Sequence, residues 1–298
     1  MRLISFSDQG RTRIGVLRPE AGRVLDLQAV EPRLPWDMAT FIAGGEASRM
    51  AADEAAGQAS PEAWRALEEL TVLPPLPIPA RDILCVGKNY RAHVDELSGS
   101  GLGKPGTASD VPEYPVFFTK AATTVSGPEE PIPAYLDYTE SVDYEGELAV
   151  IIGKEGRGIP AEEAFDHVFG YTIVNDVTSR RLQRRHGQWF LGKSVDGFCP
   201  MGPALVTADE IDDLDAVRIT TRVNGEQRQS GCLADLIFGI PELIETLSRT
   251  MTLMPGDVIA TGTPEGVGAG FDPPRFLRSG DRVEIHVSGI GTLGSPVE

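Results

Sequence analysis

Residues 143–147 read Asp-Tyr-Glu-Gly-Glu and run directly into Leu-Ala-Val-Ile-Ile-Gly at 148–153. An acidic cluster thus feeds a continuous apolar run. Successive side chains of a strand point to opposite faces, so Glu145 and Glu147 share one. The apolar run suits a buried strand, and the two carboxylates are expected to enter the protein with it. Two partly buried, ionised carboxylates are costly unless a cation lies between them. Oxygen-rich sets of this kind suit hard ions such as Mg2+, Mn2+ or Ca2+. On the pentapeptide alone, a solvated and inert strand end reads equally well.

Outward from this stretch, 298 residues allow one large domain or two smaller ones. With 41% hydrophobic and 24% charged residues, the composition is that of a soluble globular protein. A net charge of -17 argues against non-specific nucleic-acid binding. It does not exclude an anionic substrate, because a bound divalent cation can set the local field. No run of about 18 apolar residues occurs, so no membrane span is expected. The first residues lack the apolar core of a signal peptide. Cys85, Cys199 and Cys232 fit neither a disulfide framework nor a zinc pattern. The expected setting is a reducing cytoplasm.

Residues 2–7, 12–17 and 23–27 read as short strands, and 36–70 as helical, through 47–56 and 61–70. Pro74, Pro75, Pro77 and Pro79 then crowd a short segment, which reads as a linker. The expected division is a small N-terminal α+β domain, 1–78, and a larger domain, 79–298. In the latter, strands are expected at 83–87, 115–119, 148–152, 168–175, 217–223, 258–261 and 282–287. Helical turns are expected at 89–97, 161–167 and 241–251. Strands outnumber helices without strict alternation, which points to a β-rich α+β class. Residues 98–112 are rich in Gly, Ser, Thr and Pro and read as a mobile loop.

Asp176 follows the strand 168–175, where it suits either a helix cap or a third metal oxygen. His93 and Glu96 stand three apart and would meet on one helix face. They read either as a surface ion pair or as a general base with its orienting carboxylate. At the foot of a mobile loop, such a base could be delivered by loop closure. Thr261-Gly-Thr-Pro-Glu-Gly-Val-Gly268 lacks the Lys-Ser/Thr ending of a P-loop. Its backbone N–H groups could nonetheless hold a carboxylate.

Taken together, these words resemble the fumarylacetoacetate hydrolase superfamily. The matching stretches are Gly87-Lys-Asn-Tyr-Arg-Ala-His93, Phe118-Thr-Lys120, Asp143–Val150, Gly170–Val177, Gly187-Gln-Trp189 with Gly192-Lys-Ser194, and Met254–Gly268. They stand in the family's order over roughly 80–298, and the N-terminal segment resembles the accessory domain of the longer bacterial members. The resemblance implies a pseudo-barrel β-roll, a homodimer, and one Mg2+ or Mn2+ held by Glu145, Glu147 and Asp176. It places the lid dyad on His93 and Glu96 and the active-site lysine on Lys193. Substrate-facing positions fall on Tyr90, Arg180, Gln183 and Thr263. The implied activity is C–C hydrolysis of a 2,4-dioxo acid of the acylpyruvate or fumarylpyruvate type, as in the catabolism of aromatic compounds. The same site would serve a decarboxylase of oxaloacetate-like acids or an isomerase of 2-hydroxyhepta-2,4-diene-1,7-dioate-like acids. A non-catalytic oxo-acid-binding protein is a further alternative.

Overall fold

The computed structural model describes residues 1–99 and 111–298. Residues 100–110, the body of the expected lid, lie outside the described residues. Gly146–Ile152 is buried along its whole length, as an unbroken apolar run dictates, and takes a central place in a large mixed sheet. Across that sheet the order is Trp64–Ala66, Arg23–Asp26, Arg11–Arg18, Arg2–Asp8, Cys199–Thr207, Val168–Asn175, Gly146–Ile152, Val258–Ala260, Ile83–Gly87 and Val116–Lys120. Most neighbours are antiparallel; Val258–Ala260 and Ile83–Gly87 run parallel.

The alternation along Gly146–Ile152 divides the core. Leu148, Val150 and Ile152 pack with Ile219, Val283 and Ile285 of a second, four-stranded antiparallel sheet. The helix Ile240–Thr250 joins this layer through Leu243, Ile244 and Leu247, one stripe at helical spacing. Ala149 and Ile151 face the other way, toward Met38, Phe41 and Ile42 of the helix Met38–Ala43. Glu145 and Glu147 have the same parity as Ala149 and Ile151. The acids therefore lie at the end of a strand enclosed on both faces.

The sheet continues across the proline-rich segment. Arg2 pairs with Val206 and Leu3 with Leu205, so the N-terminal strands extend the sheet that carries the acids. One apolar cluster accordingly joins Leu3, Phe41 and Trp64 to Ala149, Met201 and Ala260.

The fold is β-rich α+β, with some departures from expectation. The stretch 61–70 is not a helix: two short 3-10 turns flank the strand Trp64–Ala66. Trp64 pairs with Leu25 and lies under the Arg18 guanidinium, and this tertiary pairing overrides helical composition. Ala161–His167 is a 3-10 rather than an α-helix. Cys199–Thr207 is a central strand that the sequence pattern conceals, because Pro200, Gly202 and Pro203 break it. Glu226–Cys232 is concealed by its polarity; Gln229 and Gly231 are its buried residues.

Candidate active site

Glu145, Glu147 and Asp176 converge where the strands Gly146–Ile152 and Val168–Asn175 end side by side, with Gly146 opposite Asn175. One oxygen of each lies within 4.8 Å of the others, and all three residues are buried. Asp176 caps no helix. The next helix, Arg180–Arg185, begins after Ser179, while the Asp176 carboxylate meets two ammonium groups instead. Lys193 Nζ lies 2.6 Å from Asp176 Oδ2 and 2.7 Å from Glu145 Oε2. Lys120 Nζ lies 2.8 Å from Asp176 Oδ1 and donates to the carbonyls of Val177 and Lys193. Lys120 belongs to the motif Phe118-Thr-Lys120, yet its proximity to Asp176 leaves no local trace in the sequence. Among the described residues this is the acidic group that could hold a metal ion, and its donors suit a hard divalent cation.

The surroundings split the carboxylates electrostatically. Burial works to raise Glu145, but the Lys193 and Arg180 cations outweigh it and hold the carboxyl well below its usual range. Burial followed by the charges of Asp176 and Glu145 pushes Glu147 well above it. Lys193 is itself raised: burial opposes the ammonium, but Asp176 and Glu145 prevail. Its ammonium also lies 4.9 Å from the centre of the Phe118 ring, which packs edge-on to Trp189.

His93 and Glu96 lie on the helix Arg91–Gly99. His93 is buried, and its Nδ1 stands 3.4 Å from Glu96 Oε2, at the long end of hydrogen bonding. A carboxylate accepts, so in this contact the His93 Nδ1–H is the donor and Glu96 the acceptor. When it carries a second proton, His93 is near enough to Glu145 to help lower that carboxyl.

The glycine-rich stretch after Val258–Ala260 does hold carboxylates, and they belong to the chain itself. Gly262 N–H donates to Glu147 Oε2 at 2.8 Å, and Gly266 N–H donates to Glu96 at 2.9 and 3.1 Å. Gly268 and Ala269 N–H donate to Asp143 at 2.7 and 2.9 Å. Gly266 has φ +100, and a Cβ there would stand 1.8 Å from Arg228 O, so the turn requires glycine. Asn89 ties the stretch to the body by donating to Thr261 O and pairing with the backbone of Phe238.

The expected substrate-facing residues divide. Thr263 is buried and engaged, donating to Gly146 O and accepting from Gln229 Nε2. Arg180 directs Nε at Asp143 and Nη1 at Glu145, at 2.8 and 2.6 Å, so its fork is largely committed within the protein. Its Nη2 is buried without a hydrogen-bond partner, as is the Tyr90 hydroxyl. Gln183 is half-buried on the helix that Arg180 begins. Asp143, inside the quoted pentapeptide, carries no signal of its own in the sequence; only the fold shows its position between Arg180 and the glycine-rich turn.

The sequence profile described as Fumarylacetoacetate (FAA) hydrolase C-terminal matches residues 82–298, and the chain belongs to that family. An oxaloacetate tautomerase, YisK, from Bacillus subtilis (strain 168) is 57% identical over 192 residues, which span 64% of this chain and 64% of that one. The fumarylacetoacetate hydrolase of psychrophilic Exiguobacterium antarcticum superposes with a TM-score of 0.83 at 41% identity, over 100% of this chain and 99% of that one. A maleylpyruvate hydrolase from Sphingobium sp. SYK-6, in complex with manganese (II) ion and pyruvate, gives 0.78 at 31% identity, over 100% and 98%.

Proposed function

We propose that the protein is a divalent-metal-dependent hydrolase that cleaves a C–C bond in a 2,4-dioxo acid. The observation that carries this reading is one buried trio, Glu145, Glu147 and Asp176, beside the His93–Glu96 pair. The trio would hold Mg2+ or Mn2+; the manganese and pyruvate complex of the maleylpyruvate hydrolase supports an ion and a 2-oxo acid sharing such a site. When bound, the cation would supply Lewis acidity toward the oxygens of a 2-oxo acid.

The chain's own residues then divide the work. His93 Nε2 removes a proton from water while Glu96 holds Nδ1–H. The hydroxide adds to the distal carbonyl carbon. The C–C electron pair leaves toward C3, giving a carboxylic acid and the enolate of a pyruvate-type product. The proton on His93 returns to that carbon, so one water is consumed and no other reactant is needed. Lys193 steadies the developing negative charge. The unpartnered Arg180 Nη2 and Tyr90 hydroxyl would serve substrate oxygens, and Gln183 is proposed to join them. Two copies are proposed to pair as a homodimer, and light scattering reporting a 32.0 kDa particle at micromolar concentration would refute that.

A second reading rests on the 57% identity to an oxaloacetate tautomerase. Keto–enol exchange needs the same trio and proton carrier but no attacking water. Purified protein with Mg2+ or Mn2+, given acylpyruvates and enol-oxaloacetate in parallel, decides between them. Equal yields of pyruvate and carboxylic acid support hydrolysis. Faster ketonisation of oxaloacetate with no acid released replaces it with the tautomerase. His93→Ala should cut the true activity by about 10²–10⁴-fold.

A further inference from the structure

We infer that Asp143 is a positioning residue that couples the His93–Glu96 pair to the metal-binding carboxylates; this rests on the proposed role of that pair. Asp143 is fully buried and accepts from two directions. On one side Arg180 Nε donates to Oδ2 at 2.8 Å, and the same guanidinium reaches Glu145 Oε1 at 2.6 Å. On the other, Gly268 N–H donates to Oδ1 at 2.7 Å and Ala269 N–H to Oδ2 at 2.9 Å. Two residues earlier in the same turn, Gly266 N–H holds both oxygens of Glu96. A continuous path therefore runs from Glu145 through Arg180, Asp143 and the turn 266–269 to Glu96 and His93.

The packing leaves little slack in this path. A Cβ on Gly268 would stand 2.6 Å from Asp143 Oδ1 and 2.3 Å from Arg275 O. The turn can approach the carboxylate so closely only because residue 268 is glycine. Asp143 also keeps part of Arg180 occupied, so the guanidinium is fixed rather than free to pivot about Glu145. Proton transfer is sensitive to displacements of about 1 Å. A carboxylate that sets the height of the turn therefore sets the distance between Glu96 and the imidazole. No proton passes through Asp143 and it touches no reacting atom.

The substitution Asp143→Asn keeps the volume and removes two acceptor positions. A double-mutant cycle with Glu96→Gln tests the coupling, using kcat of the metal-loaded enzyme and the metal Kd from calorimetry. In the native background Glu96→Gln should cost about 10²-fold in kcat. In the Asp143→Asn background it should cost less than about 5-fold, because the pair is already misplaced. In Asp143→Asn alone kcat should fall while KM and the metal Kd change little, as expected of a residue that positions the pair without touching substrate or ion. Asp143→Ser shortens the side chain without adding volume and should reproduce the non-additivity, so the test survives if Asp143→Asn fails to fold. Additive losses in both cycles, or a fall in metal affinity as large as the fall in kcat, overturn the inference and leave the pair's role intact. A native-background Glu96→Gln without cost overturns both.

Discussion

Two regions of the molecule bury carboxylates by different means. At the ends of the strands Gly146–Ile152 and Val168–Asn175, Glu145 and Asp176 are held by full cations, Lys193, Lys120 and Arg180. At the glycine-rich turn, neutral backbone N–H groups hold Glu96 and Asp143, and Asp143 takes the Arg180 Nε–H in addition. Cations neutralise charge, and a divalent ion can take over that task. Backbone dipoles neutralise nothing but fix position to within a hydrogen bond. Glu147 stands between the regimes: one N–H from Gly262 supports it, and two acids face it. The cationic region therefore has a charge balance that a bound cation could change, and the turn fixes geometry.

The largest effect is expected where a cation is removed. Lys193→Met leaves Glu145 and Asp176 without the ammonium they share. Breaking a buried pair in this way costs about 3–5 kcal/mol. In EDTA, the melting temperature should fall by roughly 10 °C. Added Mg2+ or Mn2+ should recover part of the loss, since an ion that binds the native state stabilises it. An unchanged melting temperature would remove the distinction between the two regions.

Glu147→Gln probes the residue between the regimes. Its carboxyl is raised, so below a pH of about 4.5 both folded and unfolded chains carry the proton. Above that, the unfolded chain ionises first, and the folded state loses stability as pH rises toward its own higher value. Glu145, held low, contributes in the opposite sense: its stabilisation is present above about 4.5 and fades in acid. In EDTA, Glu147→Gln should therefore melt higher than the native protein at pH 7 and converge with it toward pH 4. The same variant should bind Mn2+ at least about 100-fold more weakly, beyond the usual cost of losing an outer partner of a ligand. A native-like Kd would show that Glu147 is no ligand.

How much of this was legible beforehand follows from what is local. The shared face of Glu145 and Glu147 follows from strand parity, and His93–Glu96 from helical spacing. The cluster around Asp176 depends on long-range proximity, since Lys120 is 56 positions away in sequence and their meeting needs the sheet. The role of Arg180 shows the same limit. Its chemistry suits a substrate carboxylate, but Asp143 and Glu145 engage most of its fork, and only the fold could reveal them. The sheet's continuity past the proline-rich segment was hidden for a related reason. The strand that joins the two parts, Cys199–Thr207, carries two prolines and a glycine, which mask its pattern.

The smallest effect is expected at a third carboxylate, which isolates what burial adds. Asp37 precedes the helix Met38–Ala43 and accepts from Thr40 N–H at 2.8 Å, the same distance as Gly262 N–H to Glu147. It also accepts from the Thr40 hydroxyl at 2.7 Å. These bonds are exposed, so water can replace the lost acceptor. Asp37→Ala should cost about 1 kcal/mol, the usual value for a helix N-cap. That is a fall of roughly 2–4 °C in a chain of this size. Metal Kd and kcat should not move, because Asp37 shares no partner with the site. A loss as large as that of Lys193→Met would mean that an exposed N–H to carboxylate bond is worth as much as a buried ion pair. The contrast between the two buried regions would then reflect bond number rather than desolvation.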